Sequence, residues 1–354
     1  MARTLWLDDH QRLHTWDQTC LPFQTKPIKL ATIEDCARAI STMQVRGAPL
    51  IGAVAAYGLA LALRDDDSDA AVQAAQARLL ATRPTAVNLR WALQRVVGRA
   101  IALPVGERAS AAWTEAGRIA DEDGASNAAI GRHGAQQLAP LARAGQPLQI
   151  LTHCNAGRLA TMDHGTALAA VYALHDQGVP VHVWVDETRP RNQGAALTAW
   201  ELREHGVAHT VIADNAGGLL MQHRQVDAVI VGCDRVAANG DVANKIGTYL
   251  KALAAHDNRL PFYVACPIST IDPQCPSGEQ IAIEERSARE VTHICGRAAD
   301  GQVLEVQLMP DGSAAANPAF DVTPARLVTA LITERGCIAA SRSAIAELLG
   351  RGQA

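Results

Sequence analysis

Hydrophobic and polar positions divide the chain into three textures. The first 30 residues alternate weakly and carry Pro22 and Pro27, which predicts short strands or an irregular platform. From Thr32 a helical period takes over: Thr32 can cap, Asp35 supplies an acid at the capping-box position, and Ile33, Ala37 and Ile40 share one face. After Arg46-Gly47 the stretch VRGAPLIGAVAAYGLALAL is Ala-rich and apolar, so it reads as a buried helix. The run Asp65-Asp66-Asp67-Ser68-Asp69 ends that helix. It reads as a solvated loop between helices, because no ligand glycine or distal Glu follows at EF-hand spacing. Residues 70 to 140 keep the helical pattern, with breaks at Arg83-Pro84-Thr85 and near Pro104.

Between Pro140 and Pro147 the texture changes again. Short apolar runs now alternate with helical stretches: Leu148-Leu151, Val181-Val185, Thr210-Ile212, Val229-Val231 and Phe262-Ala265. Such alternation predicts a parallel sheet with helices on both faces. The expected class is therefore α/β: a small, mainly helical N-terminal domain with short β elements over 1–144, then a catalytic sheet domain over 145–354. VTHI and VLEVQLM suggest later strands, and a closing helix is expected after Thr323-Pro324.

Composition narrows the function classes. The 354 residues can bury a large core, 48% are apolar, and the formal charge is −4, so the basic surface needed for a phosphate backbone is missing and nucleic acid is not an expected partner. No apolar run reaches the roughly 18 residues of a membrane span, and a cytoplasmic protein is expected. The eight cysteines contain no C-x-x-C pair, which implies reduced thiols, and neither H-E-x-x-H nor a Cys/His zinc spacing occurs, so no metal is expected. No G-x-G-x-x-G follows a predicted strand and no Walker A lysine motif exists, which disfavours a nucleotide; no cofactor is expected.

Chemistry concentrates where apolar strands end. LQIL delivers Thr152-His153-Cys154-Asn155-Ala156-Gly157, in which Cys154 is either a reactive thiol tuned by a helix start or cation, or an inert packing residue. AVIV leads to Cys233-Asp234-Arg235; burial against that strand can keep Asp234 partly protonated as a general acid, the alternative being a cap or an ion pair with Arg235. VHVWV ends in the polar run Asp186 to Gly194, which includes Gln193, and a fourth strand leads to Asp214-Asn215-Ala216-Gly217-Gly218, suited to an anion or to a tight turn. In parallel sheets ligands lie beyond the carboxyl ends of the strands, so four polar ends define one rim. Lys245, Arg46 and Arg83 are candidate partners for a substrate phosphate, though each singly could be a surface charge; two of them come from the first domain, which implies a cleft between domains.

RGAPLIGAVAAYG, RPTAVNL, ILTHCNAG, VDETRPRNQGAALTAWEL, DNAGGLLM, VGCDRVAANGDVANKIGTY and NPAFDVTP together resemble the S-methyl-5-thioribose-1-phosphate isomerases, in order and spacing, over nearly the whole chain. The broader superfamily also holds ribose-1,5-bisphosphate isomerases and regulatory subunits of eukaryotic translation initiation factor 2B. The resemblance implies a Rossmann-like C-terminal domain without nucleotide, a homodimer, and a small sugar phosphate as substrate. It carries Cys154 and Asp234 over as the catalytic pair, and Arg46, Gly47, Ala48, Arg83, Gln193, Asn244 and Lys245 as substrate-binding residues. Ala156, Cys233 and Met162-Asp163-His164 depart from the commoner family pattern and leave each named residue in place.

The implied reaction converts 5-methylthioribose 1-phosphate to 5-methylthioribulose 1-phosphate in methionine salvage. Phosphate on the anomeric carbon blocks the free aldehyde, so the ring must open with the phosphate attached; a protonated acid near the ring oxygen would assist, after which hydrogen passes from C2 to C1. Isomerases of 5-deoxyribose 1-phosphate or ribose 1,5-bisphosphate are the alternatives within the class. A bisphosphate would need a second cationic cluster where VRGAPLIG offers apolar groups. A non-catalytic regulatory subunit is the alternative outside it, and an acid and a thiol on one rim argue against that.

Overall fold

The computed structural model describes residues 3–84 and 86–350. The opening segment forms a three-stranded antiparallel meander, β1 (Leu5–Leu7), β2 (Leu13–Trp16) and β3 (Pro27–Leu30). Its inward leucines, Leu5, Leu13 and Leu30, are buried against the helices that follow. Thr32 starts α1 (Ile33–Ser41) through a complete capping box with Asp35, as the spacing predicts. Then come α2 (Ala48–Ala62), α3 (Asp69–Leu80), α4 (Val87–Ile101) and the long α5 (Arg108–Leu138). α2 is buried on nearly every side, and at Gly52 a Cβ would stand 2.9 Å from the Asn88 carbonyl oxygen, so α4 packs on it at a distance only glycine permits. The acidic run falls between α2 and α3, where Ser68 caps α3.

α5 links two cores. Ala112, Ala116 and Ile119 pack among α1–α4, whereas Ile130, Ala135 and Leu138 pack beneath the large sheet. That sheet is built from β4 (Leu148–Thr152), α6 (Ala167–Asp176), β5 (Val181–Asp186), α7 (Ala199–His205), β6 (Ala208–Ile212), α8 (Ala216–Gln222) and β7 (Ala228–Val231). A hairpin of β8 (Arg235–Ala237) and β9 (Val242–Lys245) follows, then α9 (Thr248–Asp257), β10 (Phe262–Ala265) and the short β11 (Ile271–Asp272). The chain continues through α10 (Arg289–Thr292), a hairpin of β12 (His293–Arg297) and β13 (Val303–Gln307), and β14 (Phe320–Thr323). It ends in β15 (Ala330–Thr333), β16 (Gly336–Ile338) and α11 (Arg342–Gly350).

The seven-stranded sheet has the order β16-β15-β10-β7-β4-β5-β6, and all of its pairs are parallel except β15 with β16. All five apolar runs expected as strands belong to it. Their alternation separates two packed faces: Ile150, Val183 and Ile230 meet α5 and α6, while Leu151, Val229, Val231 and Val264 meet residues of α8, α9 and α11. Two features differ from the sequence expectation. β15 and β16 precede the closing helix, and a second sheet of order β11-β8-β9-β14 places Asn244 and Lys245 on a buried strand, paired with Asp321 and Phe320 of β14. Among the described residues no helix is long and apolar enough to cross a membrane.

Candidate active site

β4, β5 and β6 run outward in one direction, and the chain then returns to lay β7 on the other side of β4. The crevice at such a reversal, beyond the carboxyl ends of the strands, is where open α/β sheets receive ligands. Cys154 lies two residues beyond β4, and Asp234 three beyond β7. They face a pocket of about 770 Å³, partly open to solvent, that is roofed by the start of α2. All nine residues singled out from the sequence line it: Arg46, Gly47, Ala48, Arg83, Cys154, Gln193, Asp234, Asn244 and Lys245. Of the four polar strand ends, the Asp214–Gly218 loop does not reach the pocket. Asp214 instead accepts the N–H groups of Thr188 and Arg189 at 2.7 and 2.8 Å, holding the loop that carries Gln193 from below.

Gly47 shows why the first segment can close over the sheet. Its φ is +92°, and a Cβ there would stand 2.4 Å from the carbonyl oxygen of Ala160, so only glycine lets the backbone approach. The approach buries Arg46, which donates to Gln18 Oε1 at 3.1 Å and to the Asn155 carbonyl at 2.9 Å, and also meets Asn155 Oδ1. Asn155 in turn donates to Glu201 Oε1 at 2.9 Å, and the same carboxylate accepts the Arg158 and Leu159 N–H groups.

The wall opposite is cationic. Arg83 bonds Glu284 at 3.1 Å, Arg286 bonds Glu284 at 3.1 Å and Glu290 at 2.6 Å, and Arg191 bonds Glu290 at 3.0 Å. Arg191 and Arg286 therefore join Arg46, Arg83 and Lys245 on the pocket lining. Arg191 stood within the polar run after β5, but neither residue was distinguishable from a surface charge by sequence spacing. Among the described residues Asp234 is the only carboxylate on that lining, so the site has an excess of positive charge suited to an anionic group.

Burial pushes the Asp234 carboxyl above the ordinary range, against the pull of Arg83, Lys245 and Arg46. It pushes the Cys154 thiol up as well, opposed by Arg46 and Lys245, and it lowers the Lys245 ammonium. Cys154 Sγ lies 3.4 Å from Gln193 Oε1, to which it donates. The arrangement can thus offer a carboxylic acid, a thiol and an anion cradle to one small molecule.

Below the pocket, His153 Nδ1 faces Asp186 Oδ2 at 2.8 Å and its Nε2 faces the Ile246 carbonyl at 2.8 Å. His153, Asp186 and Asp214 lie within 4.8 Å of one another, a spacing that could hold a metal ion. Lys251 Nζ, 3.2 Å from Asp186 Oδ2, already brings a positive charge to that cluster, so it reads as a buried ion-pair network.

The initiation factor 2 subunit family model matches residues 44–340. A methylthioribose-1-phosphate isomerase from Methylorubrum populi is 64% identical over 334 residues, covering 94% of this chain and 92% of the relative. The chain belongs to the methylthioribose-1-phosphate isomerases of that family. Its fold matches the crystal structure of 5-methylthioribose 1-phosphate isomerase from Pyrococcus horikoshii OT3 with a TM-score of 0.85 and 40% identity, covering 99% of this chain and 96% of the other. It also matches a chain described as translation initiation factor eIF-2B, subunit delta, from A. fulgidus, with a TM-score of 0.79, 40% identity and 96% coverage of both chains. Methylthioribose-1-phosphate isomerase family membership accounts for the shared architecture.

Proposed function

We propose that this protein isomerises 5-methylthioribose 1-phosphate to 5-methylthioribulose 1-phosphate, with Asp234 and Cys154 as the reacting pair. The observation that carries the reading is the pairing of a half-buried acid and a thiol on adjacent parallel strand ends, inside a pocket lined by five cationic side chains. The phosphate stays on C1 throughout, so the cations serve as its cradle, with Arg46, Arg83 and Asn244-Lys245 in contact. Gly47, Ala48 and Gln193 complete the binding wall.

Asp234, held toward its protonated form by burial, gives a proton to the ring oxygen as the C1–O bond breaks. The hydrogen on C2 then moves to C1 while the C2 hydroxyl returns a proton to the Asp234 carboxylate and becomes the ketone, so the acid is restored and the product is an isomer of the substrate with no other reactant consumed. Cys154 stands at the C1–C2 centre as the partner that stabilises or exchanges charge. The roof of α2 and the apolar groups of Met43, Pro49 and Pro267 limit the access of water to that centre.

The test is turnover of the purified protein on 5-methylthioribose 1-phosphate, 5-deoxyribose 1-phosphate and ribose 1,5-bisphosphate. The first should be preferred, and lack of turnover on all three would refute the reading. A crystal with product should place the phosphate against Arg46, Arg83, Asn244 or Lys245; phosphate held only elsewhere would refute the cleft. The likeness to an initiation factor subunit supports a second reading, a partner-binding subunit, which the same assay separates. We also propose a cytoplasmic homodimer. The apolar residues Val303, Leu304, Val306 and Leu308, each about half exposed at or just beyond β13, support self-association, and sedimentation at micromolar concentration tests it.

A further inference from the structure

Cys154 has φ +66°, in the left-handed region that residues with a Cβ enter rarely. Two hydroxyls hold its backbone from opposite sides. Thr188 Oγ1 accepts the Cys154 N–H at 2.7 Å, and Thr198 Oγ1 donates to the Cys154 carbonyl at 2.7 Å. Each hydroxyl has a second partner that fixes its direction. Thr188 Oγ1 donates to the Asp186 carbonyl at 3.0 Å, and Thr198 Oγ1 accepts from Asn155 Nδ2 at 3.1 Å. Both threonines are fully buried.

The backbone around these hydroxyls is itself unusual. Thr188 has φ +65°, and a β-branched residue keeps such a conformation only where its surroundings over-determine it. Those surroundings are the N–H bond to Asp214 Oδ1 and the two bonds of its hydroxyl. Thr198 closes a π-helical turn, Gly194–Thr198, placed directly after Gln193. Such turns recur at functional sites because the extra residue redirects side chains. Here the turn lies against the end of β5 so closely that a Cβ on Gly194 would stand 1.7 Å from the Asp186 carbonyl oxygen. Strain at Cys154, strain at Thr188 and the π turn thus converge on one peptide segment.

We propose that Thr188 and Thr198 are positioning residues for the isomerisation: together they clamp Cys154 in its left-handed conformation, which directs Sγ into the pocket beside Gln193. The proposal rests on Cys154 being the reacting thiol. A shift of about 1 Å in such a group can cost on the order of a hundredfold in rate, which is the scale of effect at stake.

Thr188→Val and Thr198→Val remove the hydroxyls and keep the β-branched shape; Thr188→Ser and Thr198→Ser keep the hydroxyls. The valine variants should lose roughly ten- to a hundredfold in kcat with little change in KM, and the serine variants should recover most of it. A second readout needs no turnover: the rate of Cys154 alkylation by iodoacetamide against pH, followed by mass spectrometry on the folded protein. The valine variants should shift that profile while alkylation of Cys233 stays as in the parent, and the serine variants should restore it. Folded valine variants with parental kcat and a parental Cys154 profile would overturn the clamp. If Thr188→Val does not fold, Thr198→Val carries the same comparison, because it leaves the Thr188 bonds to Asp186 and Asp214 intact. Failure of the underlying reading looks different: the parent protein does not turn over the sugar phosphate, or Cys154→Ser does, whatever the alkylation profile shows.

Discussion

Replacing Asp234 with Asn separates acid chemistry from binding more cleanly than any other single change in the pocket. The amide keeps the side chain's size. The Asp234 N–H bond to the Ala243 carbonyl, 3.0 Å long, is a backbone contact and survives. What is lost is a proton donor whose carboxyl is pushed up by burial and pulled down by Arg83, Lys245 and Arg46. A bound phosphate dianion would neutralise part of that pull, so the carboxyl should be more fully protonated with substrate present than without it. Losing a positioned acid costs roughly two to four orders of magnitude in kcat, equivalent to about 3 to 5 kcal/mol of barrier. KM should stay level or fall, since an amide no longer competes with the phosphate for the three cations. Steady-state kinetics across pH supply the sign. The acid form is the active one, so parental kcat should decline as pH rises through the raised pKa, and the Asn variant should lack that limb. A variant that keeps parental kcat but binds substrate poorly would refute the assignment and move the search for the acid to His153 or Asp186.

Cys154→Ser should lower kcat by at least about a hundredfold with the fold retained, whereas the same change at the core residue Cys266 should register in thermal stability more than in rate; the opposite pattern would reverse the two roles. Gly47→Ala should destabilise by at least about 2 kcal/mol, from the positive φ and the 2.4 Å approach to Ala160, seen as a lower denaturant midpoint and, because Arg46 is adjacent, a higher KM. Asp123 is raised to about 6 by burial, against the N–H of Met162 and the amide of Asn127, so its folded form holds a proton more tightly than its unfolded form. Its ionisation therefore weakens the fold increasingly from about pH 4 up to about 6, and Asp123→Asn should stabilise the protein at pH 8 by on the order of 2 kcal/mol, a gain that fades toward pH 4 in paired melting curves.

Much of the site was legible along the chain because its signals are local. A capping box needs only Thr32 and Asp35 three residues apart, and buried parallel strands announce themselves as short apolar runs whose ends must hand polar groups to something. Cys154 and Asp234 could be singled out that way, from LQIL and AVIV, before any pairing was known. Motif likeness then added Gly47, Ala48 and Gln193, which local pattern alone leaves ordinary.

Other features exist only in the folded chain. β9 is not among the strands expected from the sequence, because four residues ending in a lysine carry no strand period; β14, some 75 positions later, pairs with it and buries Lys245. Arg191 and Arg286 look like solvated charges until Glu284 and Glu290 gather them at the pocket wall. The two threonines behind Cys154 are unremarkable residues in sequence, and their role depends on a left-handed peptide and a π turn that tertiary packing imposes. Composition and periodicity set which segments are helix or strand because those choices rest on neighbours within a few positions. Which charges share a pocket, and which hydroxyl meets which peptide, are decided by contacts between residues far apart in the chain, and those form only when the sheet, its switch point and the roof of α2 are assembled together.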